Sequence, residues 1–346
     1  MAASHAPAQR REHRGKPGTI RMTNRSVRRA FPLAVFALCI TAGAALAQDW
    51  PTRPITAVVP LGAGSASDII TRVVMDQVGR QLGQPIVVEN RPGAAGTIGA
   101  NAVAKSASDG YTILAYGALN TAHAMHAKLP YDTFKDLVPV ISLGQQPLVI
   151  VTSPGKGYKT LKDMVAAGKA KPGSLNYSSV GVGSASHFGA ARLMVAAGFD
   201  AQHLPFKGAA DAVTDVVADR SDFSVQLTAT TLPLIKDGKL VPLAVSAHKR
   251  IPSLPDTPTT IELGLPPESV YPFYTGVYVP ANTPPAIIDR LHREIAKALD
   301  APTVRERFAT LGVQPMPGTQ AEFTTFFHDD VNATVALAKA AKIQPQ

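Results

Sequence analysis

The chain has 346 residues, a formal charge of +9 and one cysteine, Cys39. Residues 1–47 hold eight Lys and Arg against one acid, and the remainder carries 26 basic and 24 acidic residues. A nearly neutral remainder speaks against nucleic-acid binding, a lone cysteine excludes a disulfide framework, and no apolar run reaches the roughly 20 residues of a membrane span.

Residues 1–47 read as a leader and signal peptide. Arg21, Arg25, Arg28 and Arg29 form a positive region, Phe31 to Ala44 is an apolar run, and Ala45-Leu46-Ala47 is a small-x-small cleavage pattern. The run is short for an anchor and contains Pro32, so cleavage near Gln48 and export to the periplasm are expected. Arg28-Arg29 partly matches a twin-arginine signal, but the match is short and the general secretory route fits better. Cys39 follows Leu38, where a lipobox needs a small residue, so it should leave with the leader. The mature chain then has no thiol catalyst or cysteine metal site.

Beyond the leader, about 300 residues exceed a typical single core, so two lobes are expected. Ile55–Pro60 is a buried-strand pattern. Asp68 to Leu82 places Ile69, Ile70, Val73, Val74, Val78 and Leu82 on one helical face. Strands follow at Ile86–Glu89, Tyr111–Tyr116 and Leu148–Val151. Thr160 with Asp163 predicts a capping box opening a helix to Ala170. Leu175–Ser178 is a strand, and Ser186 to Ala197 a helix closed by Gly198. Strands recur at Phe223–Leu227 and Leu240–Ser246. Thr283-Pro284 predicts an N-cap with proline at the first helical position, ahead of a face built on Ile287, Ile288, Leu291 and Ile295. Alternating strands and helices predict an α/β fold with mainly parallel sheets.

One short echo runs through this pattern. Residues 61–68 read LGAGSASD and residues 180–187 read VGVGSASH, each between a strand and a helix. Glycines allow close backbone approach, and a helix start offers free N–H groups and partial positive charge. The pair therefore predicts an anion site built from two similar units. The plain alternative is two ordinary turns with Ser67 and Ser186 as helix caps. His187 could donate to an anion or sit solvated in a first turn, whereas Asp68 at the mirror position better suits capping. Lys207, in LPFKGAAD, could pair with a carboxylate but fits an exposed lysine better.

Other chemistry lacks support. Gly62-x-Gly64 and Gly181-x-Gly183 have serine where a dinucleotide fingerprint needs its third glycine. There is no Walker sequence, no G-x-S-x-G and no H-E-x-x-H. His123 and His126 are spaced like a metal pair, but no nearby carboxylate or cysteine completes a site. No catalytic residue, cofactor or metal is expected.

The mature chain resembles the extracytoplasmic solute receptors of tripartite tricarboxylate transporters, the Bug receptor family. The resemblance rests on WPTRPITAVVP at 50–60, GAGSASD at 62–68, LGQPIVVENRPGAAGTIGA at 82–100, DGYTIL at 109–114 and LPYD at 129–132. It continues through KPGSLNYSSVGVGSASH at 171–187, LPFKGAADAV at 204–213, AVSAHKRIPSLPDTPTTIE at 244–262 and VPANTPPAIIDRL at 279–291. It implies a type II periplasmic-binding-protein fold with a two-segment hinge. Lobe 1 would comprise 48–148 plus 269–346, and lobe 2 would comprise 149–268.

The resemblance also implies a monomeric carrier with no enzymatic activity. It would bind a small organic carboxylate (dicarboxylate, tricarboxylate or aromatic acid) and deliver it to two integral membrane subunits. A receptor that signals without import is the alternative, and a hydrolytic enzyme is disfavoured. Ligand contacts are expected at Leu61, Ala63, Gly64, Ser65, Ala66 and Asp68 in one lobe. The other lobe would supply Ser178, Ser179, Gly183, Ser184, His187, Phe206, Lys207 and Gln226. Two departures stand out. The stretch after DGYTIL lacks the family's Asn-Pro pair, and Gln226 replaces a common aspartate, which disfavours an amino-acid ligand.

Overall fold

A computed structural model describes residues 50–126 and 128–345, so the leader and its cleavage pattern lie outside the described residues. Strands β1 (Ile55–Val59), β2 (Ile86–Asn90), β3 (Thr112–Tyr116) and β4 (Leu137–Gln146) come first. Strands β5 (Leu148–Thr152), β6 (Leu175–Ser179), β7 (Ala201–Pro205), β8 (Phe223–Leu227) and β9 (Val241–Ser246) follow, and β10 (Phe273–Pro280) returns. They form two five-stranded sheets, ordered β2-β1-β3-β10-β4 and β7-β6-β8-β5-β9.

The two orders are equivalent, with β6, β7 and β8 standing where β1, β2 and β3 stand. Each sheet is mixed rather than mainly parallel. In the first, β1 runs parallel to β2 and β3, while β10 runs antiparallel to β3 and β4. In the second, β6 runs parallel to β7 and β8, while β5 runs antiparallel to β8 and β9. The physical reason is the crossing: β5 follows β4 after Pro147 alone, and β10 comes back from the second sheet. A strand that enters from the other sheet arrives from the opposite end, so it runs against its new neighbours.

The helices are α1 (Ala66–Leu82), α2 (Thr97–Ala104), α3 (Leu119–Met125), α4 (Leu161–Ala170), α5 (Ala185–Ala197), α6 (Ala209–Val217) and α7 (Thr228–Lys236). Then come α8 (Pro285–Leu299), α9 (Pro302–Leu311) and α10 (Gln320–Ala340). The Thr160–Asp163 capping box forms as expected, and Gly198 closes α5 in a left-handed conformation at φ 68°. Two details differ from expectation. Pro284 itself is the N-cap of α8 and Pro285 its first residue, because the Thr283 hydroxyl donates to the Pro280 carbonyl at 2.7 Å. The caps of α1 and α5 are Ser65 and Ser184 rather than Ser67 and Ser186.

Strand alternation sends successive side chains to opposite faces, so each sheet has two cores. Val74, Val78, Ile113, Val277 and Ile295 pack on one face of the first sheet, and Val58, Leu114, Tyr278 and Phe327 on the other. Around the second sheet, Ile150, Tyr177, Phe188 and Val225 face one way, and Val149, Val151, Val213 and Val245 the other. Helix α10 belongs to both halves. Its Phe323, Phe327 and Val331 lie in a first-sheet core, and its Ala338 lies in a second-sheet core. Among the described residues no helix is long and apolar enough to cross a membrane.

Candidate ligand site

The echoing loops occupy equivalent places: one joins β1 to α1, the other β6 to α5. In an open α/β sheet the ends of such strands are where ligands gather. Ala66 and Ala185, the first residues of α1 and α5, both pack against the same cluster, which also contains Met125 of α3. A methyl group placed on Gly183 would come within 3.0 Å of the Met125 side chain. The second loop therefore lies against an element of the first lobe.

Each loop is held by the same device. Ser65 Oγ accepts from Asp68 N at 3.3 Å, and Gly64 N donates to Asp68 Oδ2 at 2.8 Å. Ser184 Oγ accepts from His187 N at 3.3 Å, and Gly183 N donates to His187 Nδ1 at 3.1 Å. These bonds engage one glycine amide and one first-turn amide in each loop. Among the described residues the N–H groups of Ala66 and Ser67 have no acceptor, nor do those of Ala185 and Ser186. Free amides at a helix start suit an anion.

The other expected contacts distribute as follows. Leu61 is half-buried, and Ala63 and Gly64 are exposed. Buried Asp68 faces its own loop: its Oδ1 accepts from Arg72 Nε at 3.0 Å and from Asn90 Nδ2 at 2.9 Å. Burial alone would raise its pKa. The bonds from Arg72, Gly64 and Asn90 outweigh that and hold it below the ordinary carboxylate value. Asn90 also donates to the Leu61 carbonyl at 3.0 Å.

The hydroxyls of Ser178, Ser179 and Ser184 all have hydrogen-bond partners among neighbouring residues of the second sheet's half. Ser184 Oγ donates to the Gly181 carbonyl at 2.7 Å. Ser179 Oγ lies 2.6 Å from His203 Nε2 and accepts from Gly181 N at 3.1 Å. Ser178 is fully buried and donates to the Ala212 carbonyl at 2.7 Å. Gln226 is buried as well, and its amide donates to Ser224 Oγ at 3.0 Å. Phe206 is half-buried and Lys207 exposed, just ahead of α6.

His187 is buried and stacks on His203, with ring centroids 4.0 Å apart and planes 6° apart. Burial, with His203 beside it, pushes its pKa down to about 3, and burial lowers that of His203. Its Nδ1 accepts from Gly183, so the neutral ring carries its proton on Nε2. His187 lines a cavity of about 730 Å³ together with Tyr177, Val182, Met194 and the segment 340–344. The remaining histidine pair is held separately: His123 Nδ1 lies 2.9 Å from Thr133 Oγ1, and His126 Nδ1 lies 2.8 Å from the Ala122 carbonyl.

Sequence reasoning assigned no role to Asn90, Arg72 or Gly117. Asn90 stands in the ENRPG motif, which was a usable signal. Gly117 directly follows β3, where a Cβ would sit 2.7 Å from Ser67 Oγ and 2.8 Å from the Tyr274 carbonyl. Only glycine lets that loop pass so close to the start of α1.

Two mixed α/β sheets of one strand order, joined by crossing strands and bearing matched loops, define a solute-binding protein of the type II periplasmic kind. The family model described as "Tripartite tricarboxylate transporter family receptor" matches residues 70–343. The chain is 35% identical over 321 residues to Protein BugT of Bordetella pertussis, covering 90% of this chain and 98% of that one. It is 34% identical over 303 residues to the UPF0065 protein in the tcbD-tcbE intergenic region of a Pseudomonas species, with 86% and 90% covered. Among solved structures, an R. palustris protein with adipate matches with a TM-score of 0.75 at 28% identity, covering 86% of this chain and 100% of that one. MatC from Rhodopseudomonas palustris with bound malate gives 0.71 at 29% identity, covering 83% and 99%. The chain belongs to the tripartite tricarboxylate transporter receptor family, whose members are periplasmic solute receptors and not enzymes.

Proposed function

We propose that this receptor is exported by a cleaved signal peptide and captures a small organic carboxylate between its lobes. It then delivers the ligand to two integral membrane subunits of a tripartite tricarboxylate-type transporter. The lobes are taken as 48–148 plus 269–346 and 149–268. The observation that carries the proposal is the pair of matched helix starts, each with two amides lacking an acceptor among the described residues. Such donors fit a carboxylate oxygen without a lysine or arginine. The adipate and malate named with two relatives support dicarboxylates as the ligand class to try first.

The test begins with a thermal-shift screen of adipate, malate and related acids. A ligand present at 100 times its Kd stabilises the folded state by about 2.7 kcal/mol. The decisive variants are Ala66→Pro and Ala185→Pro. Proline is accepted at the first helical position but removes the N–H. The preceding Ser65 and Ser184 are already extended, at ψ 159° and 164°, as a residue before proline prefers. Each variant should melt near wild type yet bind the best acid about tenfold or more weakly, since a hydrogen bond to a charged group contributes about 1.5–3 kcal/mol. Wild-type affinity in both folded variants would remove these loops from the site, and an acid screen with no hit would sink the carboxylate assignment.

A further inference from the structure

Helix α10 passes from one core to the other, and a buried ion pair marks the crossing point. Asp330 lies on α10 and Arg192 on α5. Arg192 Nη2 is 3.3 Å from Asp330 Oδ1, with side chains 10% and 3% exposed. The other carboxylate oxygen accepts from Asn120 Nδ2 of α3 at 2.7 Å. Arg192 Nη1 donates to the Val270 carbonyl at 3.0 Å, in the segment that leads back to β10. Its guanidinium lies 5.4 Å from the Tyr271 ring centre, and its Nε has no acceptor among the described residues. Helix α5 packs in the second-sheet core, and α3 packs with α10 against the first sheet.

Buried ion pairs seldom add net stability over an apolar contact of the same shape, because desolvation offsets the attraction. What the pair does supply is direction, since a guanidinium and a carboxylate meet well in few orientations. We propose that Arg192 and Asp330 are positioning residues that fix the angle between the lobes, a third tether beside the two strand crossings. Without the pair, α10 still touches both cores, through Phe323, Phe327 and Val331 on one side and Leu337 and Ala338 on the other, but apolar contacts of this kind are less directional than a charged hydrogen bond. The tether's effect on ligand affinity rests on the receptor function proposed above; its effect on lobe angle does not depend on any ligand.

Asp330 is also the group at this junction that can change charge near neutrality. Burial raises its pKa to about 6, although Arg192, Asn120 and Tyr274 pull it down. The facing Tyr271, Tyr274 and Tyr278 are pushed up by burial and stay neutral, and a guanidinium keeps its proton. The tether should therefore weaken as pH falls below about 6.

The test measures lobe separation without ligand. Full-length protein carrying Cys39→Ser, Val87→Cys and Lys162→Cys takes spin labels on exposed sites of the two sheets' flanks, and pulsed dipolar EPR reads the distance. The parent should give one narrow distance at pH 7.5 and a broader, longer distribution at pH 5. Asp330→Asn should be broad at both pH values. Arg192→Met leaves a buried carboxylate unpaired and could fail to fold, so the apolar double variant Arg192→Met with Asp330→Leu accompanies it. Parent-like narrow distances in the folded Asp330→Asn and double variants would overturn the proposal. A parallel titration with adipate and malate separates the two claims: absence of binding counts against the carboxylate assignment and leaves the distance measurement to judge the tether.

Discussion

The β1–α1 and β6–α5 loops perform one task with different chemistry. Both hold a glycine amide through the side chain four residues on: Asp68 for Gly64, His187 for Gly183. Asp68 is ionised, with Arg72 and Asn90 completing its hydrogen bonds. His187 is neutral, buried and stacked on a second imidazole. An acceptor of the right reach is what the turn requires, and either a carboxylate or an imidazole nitrogen supplies it. The difference also places charge unequally. The first loop carries a compensated ion pair beside its free amides, whereas the second offers its amides in an uncharged setting.

Replacing each acceptor breaks the comparison most directly. Asp68→Ala leaves Gly64 N and Asn90 without their shared partner and should lower unfolding free energy by about 2–4 kcal/mol, as for charged hydrogen bonds lost in a buried setting. The figure stays at the low end if half-exposed Arg72 rehydrates. Urea denaturation measures it, and a loss below about 1 kcal/mol would show that the loop holds itself. The folded-state pKa of Asp68 is depressed, so this stabilisation is present above its ordinary value of 3.8 and is lost as pH falls below it.

His187 should respond in a different pH window. Its folded-state value of about 3 lies below the ordinary 6.5, so its contribution is full above pH 6.5 and declines as pH falls towards 3. Unfolding free energy followed from pH 7 to 4 should therefore fall, and His187→Asn should flatten that slope while costing about 1–2 kcal/mol at pH 7. An unchanged slope would place the titration elsewhere, with His203 the first candidate. The smallest effect sharpens the likeness instead. Ser65→Ala and Ser184→Ala each remove an N-cap and should cost about 1 kcal/mol. Equal losses in thermal melts would confirm that the two caps are the same device, and Ser184 should lose slightly more only if its bond to Gly181 adds to the cap.

Much of this was legible because it is local. The capping box at Thr160 and Asp163, the stop at Gly198 and the doubled loop all depend on residues within a few positions of one another. The sequence reading left β4 and β10 unassigned, since LVPVISLGQQ and FYTGVYVP carry Pro139, Gly144 and Gly276, residues that normally interrupt a strand. They survive here at register shifts in the β4–β10 pairing, between Thr275 and Gly276 and between Val277 and Tyr278. The partners of the second-half serine hydroxyls were not legible, because a hydroxyl's partner is a three-dimensional fact. Nothing near Ser178 in sequence announces the Ala212 carbonyl, 34 residues away.

The placement of β10 has a consequence for how the molecule comes together. All five strands of the second sheet lie between residues 148 and 246, whereas the first sheet has a gap between β3 and β4 that only residues 273–280 can fill. Its closure waits on contacts between segments well over a hundred residues apart, and such long loops close slowly. A chain emerging from its N-terminus can thus assemble the later half as a unit while the earlier half stays open. The first β-strands to appear are among the last to be locked in place, and the longest-lived exposed edges during folding should be those of β3 and β4.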